Sequence, residues 1–539
     1  MPGYRAVITA CLFAASSASM AEPQASKNAI KAHIDFLADD RIEGRETGSR
    51  GYDIAASYVA AQFAQHGVAP KGDQGTYLQH VPLRLATAIP DSAVAELISG
   101  AGTERLTLGS DFVMGTRVGE SPSAKAAPLL FVGYGIRSKA MQHDDYKSAD
   151  VKGKIVVVLQ GYPSRFPSEV GAHLGSAREK VRVAAQLGAA GVVVMWTPKS
   201  EKTTPFAALK RNMGFPAMSW TDASGKPEGS FPFMQDSVTV SMDGAKKLFA
   251  KADTKLEDIY AAAEANQPLP QVDLKQSLRA SQGATRRDTR SSNVVGMIPG
   301  SDPLLKNEYV VFSAHLDHLG IVPEKSGDNI YNGAMDNASG VAILIEMARM
   351  FNALPVKPKR SVLFIALTGE EKGLLGSDYF ASNPTVPQKD IVANVNLDMP
   401  LLNYDFSSVV AMGAEHSSLN TAVTNAVKKV GVTVGPDPWP EQAIFVRSDH
   451  YSFVRQGIPS IMLVTGQTSF SKEENAAQQW GDFFAKRYHK PNDDLSQPFN
   501  FDAAIRFAKV NYNLALEVAN AKDRPVWNQG DFFGDTFRK

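Results

Sequence analysis

The sequence predicts an α/β protein with a mostly parallel (mixed) central sheet, helices on both faces of that sheet, and a smaller α/β domain inserted ahead of it. From Val295 onward, strands that are apolar almost throughout alternate with amphipathic helices. A shorter alternation of apolar strands and helix lies at 126–200. The chain has 539 residues, which is long enough for two or three domains.

The composition argues against several classes of function. Hydrophobic residues make up 44% of the chain and charged residues 21%, which is typical of a globular protein and not of a disordered one. The 56 basic and 56 acidic residues cancel, so no net field favours nucleic acid or an anionic membrane. No stretch reaches the ~18 uninterrupted apolar residues of a membrane span. We therefore expect no nucleic-acid partner and no membrane span, and the oligomeric state stays open.

The N-terminus has the pattern of an export signal. Arg5 supplies a positive charge, residues 6–15 are almost entirely apolar, and small residues precede a cleavage point after Ala21. We expect residues 1–21 to be removed and the mature protein to be periplasmic or extracellular; a buried N-terminal helix is the alternative. The single cysteine, Cys11, lies inside this signal, so the mature chain would contain no disulfide and no nucleophilic thiol.

The region 22–125 is predicted to form the N-terminal part of the main domain. Residues 28–68 have the pattern of two helical stretches separated by a polar loop at 39–48.

The segment 126–262 is predicted to be the inserted domain. Its pattern is strand, helix, strand, at 155–158, 180–187 and 192–195. It contains no cluster of ionisable residues, and its histidines, His143 and His173, lie in polar sequence with the character of loops. The polar stretch 262–292 is interpreted as the return path into the main domain, 263–539.

The main domain contains the strands of the central sheet. They are predicted at 309–314, 361–367, 391–397 and 461–464. Residues 341–351 place their apolar side chains on one face of a helix. Because ligands of such sheets bind at the carboxyl ends of the strands, we expect the chemistry there.

Several of the predicted strands are followed by ionisable residues, and a further ionisable residue lies in a motif much later in the chain. They are His315, Asp317, Asp336, Glu370, Glu371, Asp398 and, much later, His489. Two imidazoles and three carboxylates suit a pair of zinc ions, with one carboxylate bridging them. The remaining carboxylate of the Glu370–Glu371 pair could act as a general base.

Each of these residues also has a purely structural interpretation. Glu371 and Thr368 have the spacing of a capping box, and Asp336 is placed as a helix N-cap. Asp398 could be a turn residue and His489 a solvated loop residue. Their joint occurrence, mostly directly after apolar runs, favours the metal site.

The motifs, taken in order, resemble a known family. They are HLDHLG from His315, MDNASG around Asp336, TGEE at 368–371, NLDMP around Asp398 and RYHKPNDD around His489. This order is similar to that of the zinc exopeptidases that include bacterial leucyl-type aminopeptidases and glutamate carboxypeptidases. The resemblance covers about 270–520; residues 37–79 resemble the N-terminal segment of bacterial members, and 126–262 is similar to a protease-associated domain.

The resemblance implies a role for each site residue. Two zinc ions would be bound by His315, Asp336, Glu371, Asp398 and His489, with Asp336 as the bridge. Asp317 would orient His315, Glu370 would be the general base, and Tyr488 would steady the oxyanion or simply be a packed aromatic. Residues 447–451 would form a wall of the substrate pocket. The family also implies a cis peptide bond between Asp336 and Asn337, whereas Pro400 departs from the glycine found in many members.

These inferences favour an aminopeptidase acting on peptide substrates and leave alternatives open. A carboxypeptidase would need arginines for the terminal carboxylate, and Arg447, Arg455 and Arg487 lie near the late motifs. A glutaminyl cyclase would lack the histidine at position 315. A non-catalytic receptor-like protein would have lost metal ligands, and here all five positions are filled.

Overall fold

The computed structural model describes residues 23–122, 124–213, 215–322 and 327–538. The predicted export signal, with Cys11, lies outside these ranges. Among the described helices none has the length and apolar character needed to cross a bilayer.

The described part of the chain contains helices and strands in alternation. The helices are α1 (Lys27–Leu37), α2 (Arg50–Gln65), α3 (Ser168–Gly175), α4 (Ala177–Gln186), α5 (Pro198–Thr203), α6 (Phe206–Asn212), α7 (Met242–Phe249), α8 (Leu256–Glu264), α9 (Ser339–Asn352), α10 (Leu375–Ser382), α11 (Leu419–Val430), α12 (His450–Val454), α13 (Ala476–Lys486), α14 (Phe501–Asn520) and α15 (Phe532–Phe537). The strands are β1 (Ala69–Pro70), β2 (Leu78–Ala88), β3 (Val94–Ser99), β4 (Gly102–Arg105), β5 (Phe112–Met114), β6 (Ala127–Phe131), β7 (Arg137–Ser138), β8 (His143–Asp144), β9 (Ile155–Leu159), β10 (Gly191–Met195), β11 (Ala217–Trp220), β12 (Val238–Val240), β13 (Val272–Ser281), β14 (Ala284–Ile298), β15 (Tyr309–His315), β16 (Gly320–Ile321), β17 (Ile330–Tyr331), β18 (Ser361–Leu367), β19 (Ile391–Leu397), β20 (Ser408–Met412), β21 (Thr433–Val434) and β22 (Ser460–Thr465).

The larger sheet has the order β11-β2-β14-β18-β15-β19-β22-β20-β21, with β1 paired to β14. Its centre is parallel, since β15 pairs in parallel with both β18 and β19, and β19 pairs in parallel with β22. Both flanks are antiparallel, through β14 with β18 and β20 with β22. The predicted mixed sheet is confirmed, and the four predicted strands form its parallel centre. Strands β2 and β14 extend the sheet by a long antiparallel ladder that was not predicted.

Helices cover both faces of this sheet, as predicted. On β15, Val310 and Phe312 join the core cluster that contains α9 and α14. Val311 points the other way, into a cluster with Phe380 of α10 and Phe453 of α12. Side chains alternate across a strand, so a strand buried on both faces must be apolar at successive positions. That two-sided burial explains the apolar runs in the sequence.

The second sheet has the order β4-β3-β13-β6-β9-β10-β12-β5. It takes β3 to β5 from before the predicted segment 126–262 and β13 from after it. One strand inside that segment, β11, pairs instead with β2 of the larger sheet. The return path predicted at 262–292 leads into the larger sheet and consists largely of strand. The stretch contains β13 and most of β14, and β13 buries alternate residues such as Leu274 and Leu278.

Candidate metal centre

The predicted site residues gather at the carboxyl ends of three parallel strands. His315 is the last residue of β15, Asp398 directly follows β19, and Glu371 lies in the loop after β18. Asp336 lies in a single turn, Ala334–Ala338, that leads into α9. His489 follows α13. Side chains from five separate segments therefore converge because the strands of one sheet end at the same edge.

The donor atoms form two groups that share Asp336. In the first group, His315 Nε2 lies 3.2 Å from Asp336 Oδ1 and 3.1 Å from Asp398 Oδ1. In the second, His489 Nε2 lies 3.3 Å from Asp336 Oδ2 and 3.2 Å from Glu371 Oε2. Each oxygen of the Asp336 carboxylate thus faces a different imidazole.

Burial makes these charges depend on one another. Asp336 is 2% exposed. Burial alone would raise the pKa of Asp336, but hydrogen bonds from His315 and His489 hold it well below its usual value. Burial would likewise lower the pKa of His489, but Asp336 and Glu371 raise it to about 10. These pKa shifts show that the buried carboxylates attract positive charge, and divalent cations held by the nitrogen and oxygen ligands that zinc prefers would supply it.

Asp317 holds the Glu370–Glu371 loop. Its carboxylate accepts hydrogen bonds from the backbone N–H groups of Glu370, at 3.1 Å, and Glu371, at 3.3 Å. Thr47 Oγ1 donates to the same carboxylate at 3.0 Å. His315 Nδ1 lies 4.0 Å from the Asp317 carboxylate and 3.1 Å from the Asp317 main-chain oxygen. His315 Nδ1 therefore lies nearer to the Asp317 main-chain oxygen than to the Asp317 carboxylate, and an orienting role of Asp317 for His315 stays a prediction.

The turn that carries Asp336 is fixed by a residue that sequence reasoning missed. Asp493 is fully buried, and its two oxygens accept the backbone N–H groups of Met335 and Asp336, each at 3.0 Å. The Asp336–Asn337 peptide bond is cis, which confirms the expectation from the resemblance. Asp493 lies four residues after His489 within the same quoted motif, and this position was the available signal.

Arg45 is a second missed residue. Its buried guanidinium donates to the carbonyl oxygens of Leu316 at 2.8 Å and Asn332 at 2.6 Å, and also to those of Gly333 and Leu37. Burial lowers its pKa to about 10. Arg45 thereby ties the N-terminal segment to the loops after β15 and β17, and this function explains the position of the glycine-arginine pair within the predicted polar loop.

His318 also lies in the site. It is fully buried, and its Nδ1 lies 2.7 Å from Glu371 Oε1, outside the angles of a hydrogen bond. No role was predicted for it, although it is part of the quoted motif HLDHLG.

A cavity of about 320 Å³ opens on the metal centre. Its polar lining includes Glu370 and Tyr488, and the Tyr488 ring stacks on His489 at 3.8 Å. Its apolar lining is Met399, Trp439, Ile444, Met462 and Phe484. Burial raises the pKa of Glu370 well above its usual value, so this carboxyl group holds a proton readily. The cavity thus combines a proton acceptor, the donor cluster and an apolar wall.

The three arginines considered for a terminal carboxylate lie in different places. Arg447 lines the cavity. Arg455 pairs with Asp378 at 2.5 Å and stacks on Tyr451, and Arg487 donates to the carbonyl oxygen of Asn492. Among the three, Arg447 is the one on the cavity wall.

An α/β sheet with imidazoles and carboxylates at its strand ends defines a protein with a candidate two-metal centre. Comparison with known sequences shows what the chain is similar to. Residues 293–515 match Peptidase family M28, and residues 125–227 match the PA domain. The part of the chain that contains the donor cluster is therefore similar to peptidase family M28, and a region similar to the PA domain precedes it.

Individual relatives agree with this assignment. The chain is 29% identical over 271 residues to a probable zinc metalloprotease of Pyrenophora tritici-repentis, covering 44% of this chain and 58% of the relative. It is 27% identical over 250 residues to a probable leucine aminopeptidase 2 of Aspergillus oryzae, covering 44% and 46%. The chain thus spans about half the length of these curated relatives. The structure of an aminopeptidase from Aneurinibacillus sp. strain AM-1 shares the fold, with a TM-score of 0.52, 20% identity and coverage of 93% of this chain and 96% of that one.

Proposed function

We propose that this protein is an exported exopeptidase that works with two zinc ions and releases single residues from the N-termini of peptides. The proposed ligands are His315, Asp336, Glu371, Asp398 and His489. The observation that carries the proposal is the position of Asp336, whose two carboxylate oxygens lie 3.2 Å and 3.3 Å from two different imidazole nitrogens. A carboxylate placed in this way can contribute one oxygen to each of two cations.

The donor set fits zinc at both positions, because each group offers one imidazole nitrogen and two carboxylate oxygens. When bound, zinc polarises a water molecule and the scissile carbonyl group and lowers the pKa of that water.

The remaining chemistry falls to side chains of this chain. Glu370 lines the cavity and would accept the proton of the attacking water, then pass it to the leaving amine. The raised pKa of Glu370 supports this role. Tyr488 lines the same cavity and would donate a hydrogen bond to the oxygen that becomes negative.

The cavity supports a preference for one apolar side chain beside the cleaved bond. Met399, Trp439 and Phe484 offer apolar contact at its wall, and its volume of about 320 Å³ suits a single residue better than a long peptide. Export through residues 1–21 remains part of the proposal, and peptides are the proposed partners.

One observation favours a second candidate, a carboxypeptidase. Arg447 lines the cavity, and an arginine there can bind the terminal carboxylate of a substrate through paired hydrogen bonds.

Assays with free and N-blocked dipeptides, each with and without a chelator, test the proposal. An aminopeptidase cleaves the free dipeptide, fails on the N-blocked one, and loses activity with the chelator. Cleavage of N-blocked dipeptides with a free carboxylate would support the carboxypeptidase. Activity that survives complete removal of metal would contradict both candidates.

A further inference from the structure

Helix α3 of the inserted domain contacts the wall of the substrate cavity from behind. It packs against two short turns of the catalytic part, Pro440–Gln442 and Ile444–Val446. Gln442 and Ile444 of these turns line the cavity. These two turns therefore lie between helix α3 and the cavity.

A partly buried ionic contact joins α3 to His416 and Asp531 of the main domain. Glu169 Oε2 of α3 lies 2.5 Å from His416 Nε2, and His416 Nδ1 lies 2.6 Å from Asp531 Oδ2. The three side chains are between 9% and 15% exposed. Because the imidazole contacts a carboxylate through each nitrogen, its orientation is fixed by both.

His416 contacts Phe445, and Ile444, the residue before Phe445, lines the cavity. The two rings lie 5.0 Å apart, and Phe445 is 1% exposed. A second contact from α3, His173 Nδ1 to Tyr451 Oη at 2.5 Å, borders the same aromatic cluster, since the Tyr451 ring lies 6.0 Å from Phe445. His173, expected in a loop, thus lies in a helix at the interface between the two domains.

The backbone two residues before Phe445 has a conformation that depends on surrounding contacts. Ala443, between the two turns, has a φ of +49°, in the left-handed region that disfavours residues with a Cβ. A conformation of this kind persists where the surrounding contacts enforce it.

We propose that Glu169 and His416 are positioning residues that hold the turn 444–446 in place, so that the inserted domain sets the shape of the apolar wall and the affinity for large side chains. This inference rests on the proposed peptidase function. Neither residue lines the cavity, and they act on the substrate through Phe445 and Ile444.

Steady-state kinetics on the full-length chain with bound metal test the inference. Leucine and alanine p-nitroanilides serve as substrates with a large and a small side chain. In Glu169→Gln, which keeps the shape and removes the charge, we expect KM for the leucyl substrate to rise at least about threefold, with kcat within about twofold of the wild type. KM for the alanyl substrate should change less, and zinc content should not change.

His416→Gln should raise KM for the leucyl substrate at least as much, since it also removes the contact to Asp531. The double variant should behave like His416→Gln alone, because both changes break the Glu169–His416 contact. Thermal melting checks that each variant is folded. The matched control is Arg178→Gln, which removes another contact between the domains, Arg178 to Asp378 at 3.2 Å, and leaves the Glu169–His416 contact in place. This control should keep both KM values.

Wild-type KM values in folded Glu169→Gln would overturn the inference while leaving the proposed function intact. An equal rise in Arg178→Gln would also overturn it, since any loss of domain contact would then have the same effect. Wild-type protein that cleaves neither substrate would overturn the proposed function, and the inference with it.

Discussion

At the scale of single residues, the site depends on buried carboxylates that hold the backbone of the candidate metal ligands. Asp336 takes part in both donor groups, and Asp493 holds its backbone from the opposite side. Asp317 holds the backbone of Glu370 and Glu371 in the same way. Residues that orient metal ligands usually matter almost as much as the ligands themselves.

The adjacent glutamates should separate proton transfer from metal binding. In Glu370→Gln we expect kcat to fall by about 10²–10⁴-fold with zinc content unchanged, because an amide cannot accept the proton. In Glu371→Gln we expect loss of zinc. Metal analysis and kinetics on both variants check this, and a reversal of the two phenotypes would show that the roles are assigned one residue out.

Asp493→Asn should weaken metal binding by about 10–100-fold, because the new amide group leaves one backbone N–H of the Asp336 turn without its carboxylate acceptor. Zinc titration against a competing chelator measures the affinity. Asp494→Asn is the control, since the Asp494 carboxylate bonds locally to Ser496. Equal affinities in the two variants would show that Asp493 does not support metal binding.

At the scale of elements, how well the sequence predicts the structure depends on burial. Strands buried on both faces, such as β15, have an unmistakable apolar run. Strand β13 buries only alternate residues, so its sequence mixes polar with apolar residues and has the pattern of a connecting stretch. The ligands could be predicted because each follows an apolar strand or lies in a quoted motif. Asp493 also lies in a quoted motif, but its role and that of Arg45 could not be predicted, because their contacts span long distances in sequence and depend on the folded backbone.

The contact between α3 and the catalytic part should make stability depend on pH. Burial opposes the charge on His416, but hydrogen bonds to Asp531 and Glu169 raise its pKa to about 10. Glu415 and Asp437 are further acidic groups near this contact, and the buried imidazole of His450 lies close to His416. A raised pKa contributes stability that is complete below about pH 6.5 and is lost as pH rises through 10. The melting temperature of the wild type should therefore fall between pH 7 and 10 more than that of His416→Gln. Parallel curves for the two proteins would contradict this contact.

At the scale of the whole molecule, the two sheets are built from interleaved parts of the chain. The second sheet needs β3, β4 and β13, which lie outside 126–262, and β11 inside that range extends the larger sheet. The limits 126–262 therefore stay a prediction. The strands that form the second sheet extend beyond these limits on both sides.

Deletion of 126–262 should accordingly destabilise the remainder. It would leave β3, β4 and β13 without the centre of their sheet, and exposed strand edges and apolar surface promote aggregation. We expect a lower melting temperature and aggregation in light scattering. A monomeric product that melts like the wild type would show that the two sheets fold independently.

Zinc stoichiometry tests whether Asp336 is shared between two zinc ions. Elemental analysis of the purified wild-type protein should give two zinc ions per chain. Asp336→Ala should bind neither zinc ion tightly, because one carboxylate contributes an oxygen to each. Asp328→Ala, an exposed change outside the cluster, serves as the control and should retain both. One zinc in the wild type, or two zinc ions retained in Asp336→Ala, would contradict the shared carboxylate on which this account depends.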